Sequence, residues 1–461
     1  MDRRLIRTWL LTVLAVTVPF WGVVVGRETA IYGDLVVYHL PTMSWIGDLL
    51  LHGHLPQWGQ WAFAGQNVAG IGQGAMFYPF TLLFGMFGPV LGYRIWLLVH
   101  LWLGASGAFV WSWRQWHSRA GAAVSGIGYG LNGFIVLHLV HMNFTIGSAW
   151  LPWLLVGVDV VYQRWSTRRA LALAAPVAML AVSGHPQMVW LGLLTTGVYA
   201  VAVLARRDTT WRVVLRVAGA GAIGLGVAAI SLVPQFQYSR TSVRSAHTMA
   251  TAFELSARRA HLVTTVFPHV MGGGYGLPGV EEQWTIEAGA QPEQATHTGI
   301  VVVACAAFGL LATWRSRRTI ALAVLAFYGI TTAVAGGSPI ARLAFRVVPM
   351  AGTFRAWGRN MVLFNLSASL LAGAGVVAIL QAGPVRRRWL SLSAAAVTLL
   401  LVALTFITHL SDTLVPDKEL VASLVVPLSC LAALIVAMFL VGRHPRRALT
   451  IILLATGFNM A

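Results

Sequence analysis

Apolar runs of about 20 residues recur along this chain, each long enough to cross the ~30 Å of hydrocarbon in a bilayer, and short clusters of charge separate them. Backbone inside lipid must satisfy its own hydrogen bonds, so such runs are helices. Only 10% of the 461 residues are charged and 57% are hydrophobic, whereas soluble domains carry about 25% charged residues. The fold class that follows is an all-α polytopic integral membrane protein, one transmembrane domain over 1–461 with about 13 transmembrane helices. The predicted spans are 8–26, 81–112, 120–140, 146–162, 170–184, 187–205, 213–233, 298–314, 319–336, 361–381, 389–409, 421–440 and 448–461. The run at 81–112 is long enough to tilt or to break near Gly88, Pro89 and Gly92. The last run, about 14 residues, is short for a crossing.

Charge placement orients the chain. With a cytoplasmic N-terminus, the inside segments hold Arg114/Arg119, Arg164/Arg168/Arg169, Arg206/Arg207/Arg212, Arg315/Arg317/Arg318, Arg386/Arg387/Arg388 and Arg443/Arg446/Arg447. Basic inside loops are what membrane insertion selects. Most acids fall on the other side, among them Asp34, Asp48, Glu254, Glu281, Glu287, Glu293 and Asp412. The formal net charge of +18 is therefore read as topology and not as nucleic-acid binding. Arg3, Arg4 and Arg7 precede an apolar run to Gly26 that has no small-x-small cleavage site, so it is read as a retained first span. Cys305 and Cys430 lie within spans, and no CxxC or HExxH occurs; both are read as buried small hydrophobes. Arg94 and Asp159 are the clearest charges inside spans.

Three outer segments are long: 27–80, 235–297 and the arginine-rich 337–360. Met43, Ile46, Leu49 and Leu50 recur at helical spacing, which predicts an interfacial amphipathic helix between Pro41 and Leu55, with a similar stretch from Phe253 to Val266. Asp34 follows the first span by one or two turns, where a partly dehydrated carboxylate suits proton abstraction from a hydroxyl. Glu28 is its competitor, and either acid instead solvates the helix end or pairs with Arg27. Arg355 and Arg359, four residues apart, are read as sharing a helix face, a pairing that grips phosphate oxygens. Arg258 and Arg259 form a second such pair; the alternative for both pairs is contact with anionic headgroups. His138, His141 and Asn143 close the third span, and His185-Pro186-Gln187 turns between the fifth and sixth. Each of these is alternatively a satisfied turn or interhelical hydrogen bond. His39, His52 and His54 are of metal-ligating type, but no spacing compels a site.

The first loop also carries a specific order of elements: Gly33-Asp34-Leu35-Val36-Val37-Tyr38-His39-Leu40-Pro41, then Gly53-His54-Leu55-Pro56-Gln57-Trp58, Phe63-Ala64-Gly65-Gln66, and Gln73-Gly74-Ala75-Met76-Phe77-Tyr78-Pro79. This order resembles the YfhO family of bacterial membrane proteins, as do the Gly184-His185-Pro186-Gln187 turn and the Phe354-to-Arg359 stretch. One departure follows Trp58, where Gly59 replaces the asparagine frequent in the family. The resemblance places the chain with the GT-C glycosyltransferases. It implies a polyprenyl-phosphate-sugar donor, a cell-envelope glycan or lipid acceptor at the outer face of the bacterial cytoplasmic membrane, and Asp34 as base in an inverting transfer. Arg355 and Arg359, with Arg258 and Arg259, are then the expected donor-phosphate ligands, unless a divalent cation (Mg or Mn) held by loop carboxylates takes that role. Substrate contacts are expected from Glu28, His39, Trp58, Gln66, Tyr78, His138, His141, His185 and Gln187. The alternatives are a transporter or flippase of a lipid-linked glycan, which should bury charge at mid-span and show repeated halves, and a non-catalytic scaffold.

Overall fold

Helix dominates the computed structural model, which describes residues 2–27, 33–60, 64–205, 210–241, 248–270, 291–294, 296–385, 389, 392 and 417–460. Among the described residues, seven helices are long and apolar enough to cross a membrane: Arg3–Val24, Pro79–Trp116, Arg119–Val140, Met142–Gln163, Pro186–Leu204, Trp357–Gln381 and Ser423–Leu440. Trp211–Val227 and Ala229–Thr241, bent by 72°, make an eighth if they form one span. Helices Thr167–Ala181, Ile300–Thr313, Arg317–Ala333 and Pro445–Met460 have only 14 to 17 residues, short of the roughly 20 a full crossing takes. The 13 spans read from hydropathy are thus not matched by 13 long helices, and the run at 389–409 falls outside the described residues except for Trp389 and Leu392. The expected break in the second span is present: Gly88 has φ 72° and ψ 175°, and Pro89 restarts the helix. Proline supplies no N–H and its φ is preset for a first turn.

The chain divides into two compact units. The first comprises Met1–Ala15, Ala108–Leu137 and Thr248–Ala461. At its centre lies Met361–Gln381, buried on nearly every side. Lipid gives no hydrophobic drive for one helix to seek another, so close backbone approach and interhelical hydrogen bonds hold such a centre. A side chain on Gly375 would collide with the Cys305 carbonyl, and one on Gly309 with that of Leu371. A polar seam runs beside these contacts: Thr298 Oγ1 donates to Asn365 Oδ1 (2.5 Å), and Asn365 Nδ2 donates to Asn132 Oδ1 (3.1 Å). Asn459 Oδ1 accepts from the Val301 amide at 3.2 Å, tying Pro445–Met460 to the start of Ile300–Thr313.

The second unit comprises Val16–Gly107 and His138–His247. Met142–Gln163 is its central helix, packed against Thr167–Ala181 and Pro186–Leu204. Asp159 on it is fully buried, and Tyr199 of Pro186–Leu204 donates to its Oδ2 at 2.8 Å. The amphipathic helix expected between Pro41 and Leu55 is Leu40–Leu51, preceded by a wider turn at Leu35–His39. Its Met43 and Ile46 are buried, with Ile46 packing on Val68 and Met76. Gly47 meets Gly85 back to back, and a Cβ on Gly47 would stand 2.6 Å from the Gly85 amide. A two-stranded hairpin, Trp58–Gly59 with Gln66–Asn67, completes this loop.

Gly375→Ala should lower thermal stability in detergent by about 1–3 kcal/mol, because overpacking forces the paired helices apart. Gly219→Ala, where no atom lies within 4 Å of the added carbon, should leave melting unchanged or raise it by up to about 1 kcal/mol.

Candidate functional site

Asp34 stands at the entrance to the Leu35–His39 turn, yet its side chain caps nothing. Its Oδ2 lies 3.5 Å from His141 Nε2, with the Asp34 side chain 64% exposed and that of His141 20% exposed. The carboxylate is therefore set against an imidazole while remaining open to a ligand. Glu28 lies outside the described residues.

His141 precedes Met142–Gln163 and follows the short turn His138–Val140. The ring centroids of His138 and Phe144 are 4.9 Å apart, those of His141 and Phe144 5.8 Å, and those of Phe144 and His185 4.1 Å. Phe144 is thus the apolar post around which three of the sequence-predicted histidines gather. Asn143 fixes their backbones: its Nδ2 donates to the Ser183 carbonyl (2.7 Å) and the Gln73 carbonyl (2.9 Å). The turn it holds needs Gly184, whose φ is +83° and whose hydrogen faces the Gly72 carbonyl. Gln187, one turn on, is buried.

His39 lies on the same loop as Asp34 and is buried, with its Nδ1 lacking a hydrogen-bond partner. Burial, and secondarily the neighbouring His141, push its pKa down to about 3, so it is neutral at physiological pH. Tyr38 is raised by burial, against a hydrogen bond from Gln66, which is itself buried. Trp58 is 56% exposed on the hairpin, its indole lying over Gly65. Tyr78, expected as a substrate contact, is enclosed. It is buried, its hydroxyl sits 2.7 Å from His100 Nε2, and it accepts from Trp150 Nε1 at 3.1 Å. Because His100 Nδ1 faces the Trp96 carbonyl, which can only accept, Nε2 is the acceptor and Tyr78 the donor. Its phenol is committed to packing the loop against the Pro79–Trp116 helix. Among the described residues Asp34 belongs to no group of three metal-ligating side chains.

The arginines named from sequence lie in the first unit and are not equivalent. Ala356 takes left-handed backbone (φ 55°) and only Trp357–Asn360 is a 3-10 turn, so Arg355 and Arg359 do not share a helix face. Arg359 donates from Nε and Nη2 to Glu293 Oε2 (2.6 Å) and Oε1 (2.5 Å), a bidentate pair with side chains only 12% and 6% exposed. Gly358 permits this by admitting the Glu293 carbonyl where a side chain would stand. Glu293 was one acid among many in the sequence, 66 residues away, with no local signal of its partner. Arg355, Arg258 and Arg259 are exposed. Arg258 opens the 3-10 turn Arg259–Thr265, its amide donating to His261 Nδ1 at 3.1 Å. Burial, and secondarily Arg258, lower the His261 pKa to about 4.

No family model matches this chain, and no curated protein does. Among solved structures, ArnT from Cupriavidus metallidurans in the apo state matches with a TM-score of 0.50 at 14% identity, covering 98% of this chain and 76% of that one. ArnT bound to undecaprenyl phosphate matches at 15% identity and a TM-score of 0.48 over the same shares. The chain is therefore a multi-pass membrane protein whose fold is that of ArnT.

Glu293→Gln should destabilise the protein by about 3–5 kcal/mol, since it strips a largely buried guanidinium of its counter-charge. The double change Glu293→Leu with Arg359→Met should recover most of that loss in the same detergent melt.

Proposed function

We propose that this protein transfers a sugar from a polyprenyl-phosphate-linked donor to a hydroxyl-bearing acceptor, with Asp34 as general base. The observation that carries the proposal is the Asp34 carboxylate, uncommitted to any cap, open to a ligand and held against His141. A base on the acceptor hydroxyl drives in-line attack at the anomeric carbon, so the bond to the lipid phosphate breaks with inversion. The proton leaves the hydroxyl for Asp34, and His141 steadies the carboxylate before and after transfer. The donor phosphate gathers charge as it departs, and an exposed arginine is the kind of side chain suited to neutralise it, the type to which Arg355, Arg258 and Arg259 belong. Arg359 holds the loop through Glu293 and is not among them.

The fold of ArnT supports the GT-C class, and ArnT has been solved with undecaprenyl phosphate, the class of leaving group required here. Membership of the YfhO type rests on the elements of the first loop quoted above, and an acceptor in the bacterial cell envelope follows from it. The positive-inside pattern supports a cytoplasmic N-terminus and catalysis at the outer face of the cytoplasmic membrane. A transporter would use charge at mid-span; of the two clearest charges within spans, Asp159 lies near a span end and accepts from Tyr199, and Arg94 lies in the second turn of its helical segment.

Transfer of label from radioactive polyprenyl-phosphate-sugars, measured in membranes, tests this reading. Asp34→Asn should insert normally and lose about 10²–10⁴-fold in turnover, the usual contribution of a positioned base. Equal transfer by variant and wild type sinks the assignment of Asp34, and no transfer by wild type from any donor favours a transporter.

A further inference from the structure

One charge inside the second unit has no role in the chemistry above. Arg94 follows the break at Gly88 by six residues, on the helical segment that Pro89 restarts and that ends at Trp116. At 1.5 Å per residue that segment is about 42 Å long, more than the ~30 Å of hydrocarbon. Arg94 lies in its second turn, near the end of the segment. Val90 and Leu91, at i−4 and i−3 on the same face, are both exposed on the protein surface.

The guanidinium leans on the end of the first span. Arg94 Nη2 donates to the Gly26 carbonyl at 3.4 Å, a long bond, and a Cβ on Gly26 would stand 3.0 Å from Nη1. Gly26 has φ +77°, so glycine there serves both the turn and the close approach. Arg94 Nε is buried without a hydrogen-bond partner, and among the described residues no carboxylate forms an ion pair with this side chain. Among the described residues that long bond is the guanidinium's one hydrogen bond, and a partly buried charge is costly unless something anionic completes it. Trp21, Val24 and Val25, on the approach to Gly26, are exposed and apolar. They suit the chain of a lipid and not a soluble anion.

We infer that Arg94 and the Gly26 turn form a binding site for a lipid-borne phosphate, with exposed Val90, Leu91 and Trp21 against its hydrocarbon chain. Arginine rather than lysine fits, since a planar fork can serve the Gly26 carbonyl and two phosphate oxygens together. The site goes beyond glycosyl transfer and does not rest on it. It is read by binding alone, so the behaviour of Asp34→Asn bears on the transfer proposal and not on this one.

The test is native mass spectrometry of the protein in neutral detergent, titrated separately with phosphatidylglycerol, a polyprenyl monophosphate and inorganic phosphate. Wild type should bind at least one of the two lipids, and inorganic phosphate at least tenfold more weakly. Arg94→Gln should weaken lipid binding about tenfold or more, the worth of charge-assisted hydrogen bonds, with Arg94→Lys between the two. Arg27→Gln, removing an exposed neighbouring charge, should stay within about twofold. The tighter lipid names the source of the phosphate. Lipid binding by Arg94→Lys and Arg94→Gln within twofold of wild type overturns the site. So does an equal loss in Arg27→Gln, which would mean diffuse attraction, or equal affinity for inorganic phosphate. If Arg94→Gln does not fold, the Arg94→Lys comparison decides alone.

Discussion

Much of the second unit turns on one side-chain amide. Asn143 sits at the start of a central helix and gives its two N–H groups to carbonyls of two separate segments, Gln73 in the first loop and Ser183 before the Gly184 turn. Both carbonyls belong to irregular backbone that forms no ladder of its own, and burying them unpaired would cost more than most single packing contacts contribute. The same stroke brings His185 against Phe144, and Phe144 against His138 and His141. Asp34 then finds His141 because the helix Leu40–Leu51 is pinned by Ile46 and by the glycine contact between Gly47 and Gly85. The candidate base is thus held at the end of a chain of constraints, none of which touches its carboxylate.

The first unit solves a similar problem with charge. Glu293 and Arg359 join two loop segments that lie far apart in the chain, and they do so where neither is well solvated. A buried pair of this kind adds little net stability over an apolar substitute, but it tolerates one geometry only. That rigidity orders the turn Trp357–Asn360 and leaves Arg355 on the surface. An arginine chosen from sequence as a ligand is here a strut, while its neighbour four residues back keeps the exposure a ligand needs.

Reading the sequence succeeded where the governing physics is local or averages over many residues. Span existence follows from hydrocarbon thickness, and the break at Gly88-Pro89 from one missing N–H and one left-handed φ. The helix at Leu40–Leu51 follows from a repeat of apolar side chains. It failed where geometry is set by a single residue's backbone. Ala356 in the left-handed region undoes the i, i+4 pairing expected of Arg355 and Arg359. It failed also where fate depends on a distant partner: Tyr78 was expected to meet substrate, but His100 and Trp150 hold its hydroxyl inside.

The sequence alone therefore determined that this chain is a helical membrane protein, which charges lie at span ends, and that the first loop carries its most distinctive residues, since hydropathy and charge count do not require knowing who touches whom. Only the tertiary structure decided that Asp34 meets His141 instead of capping its helix, that Arg359 belongs to Glu293, and that Arg94 donates to the Gly26 carbonyl. Those are pair relations across 66 to 107 positions, formed by packing of elements whose mutual placement no local pattern records.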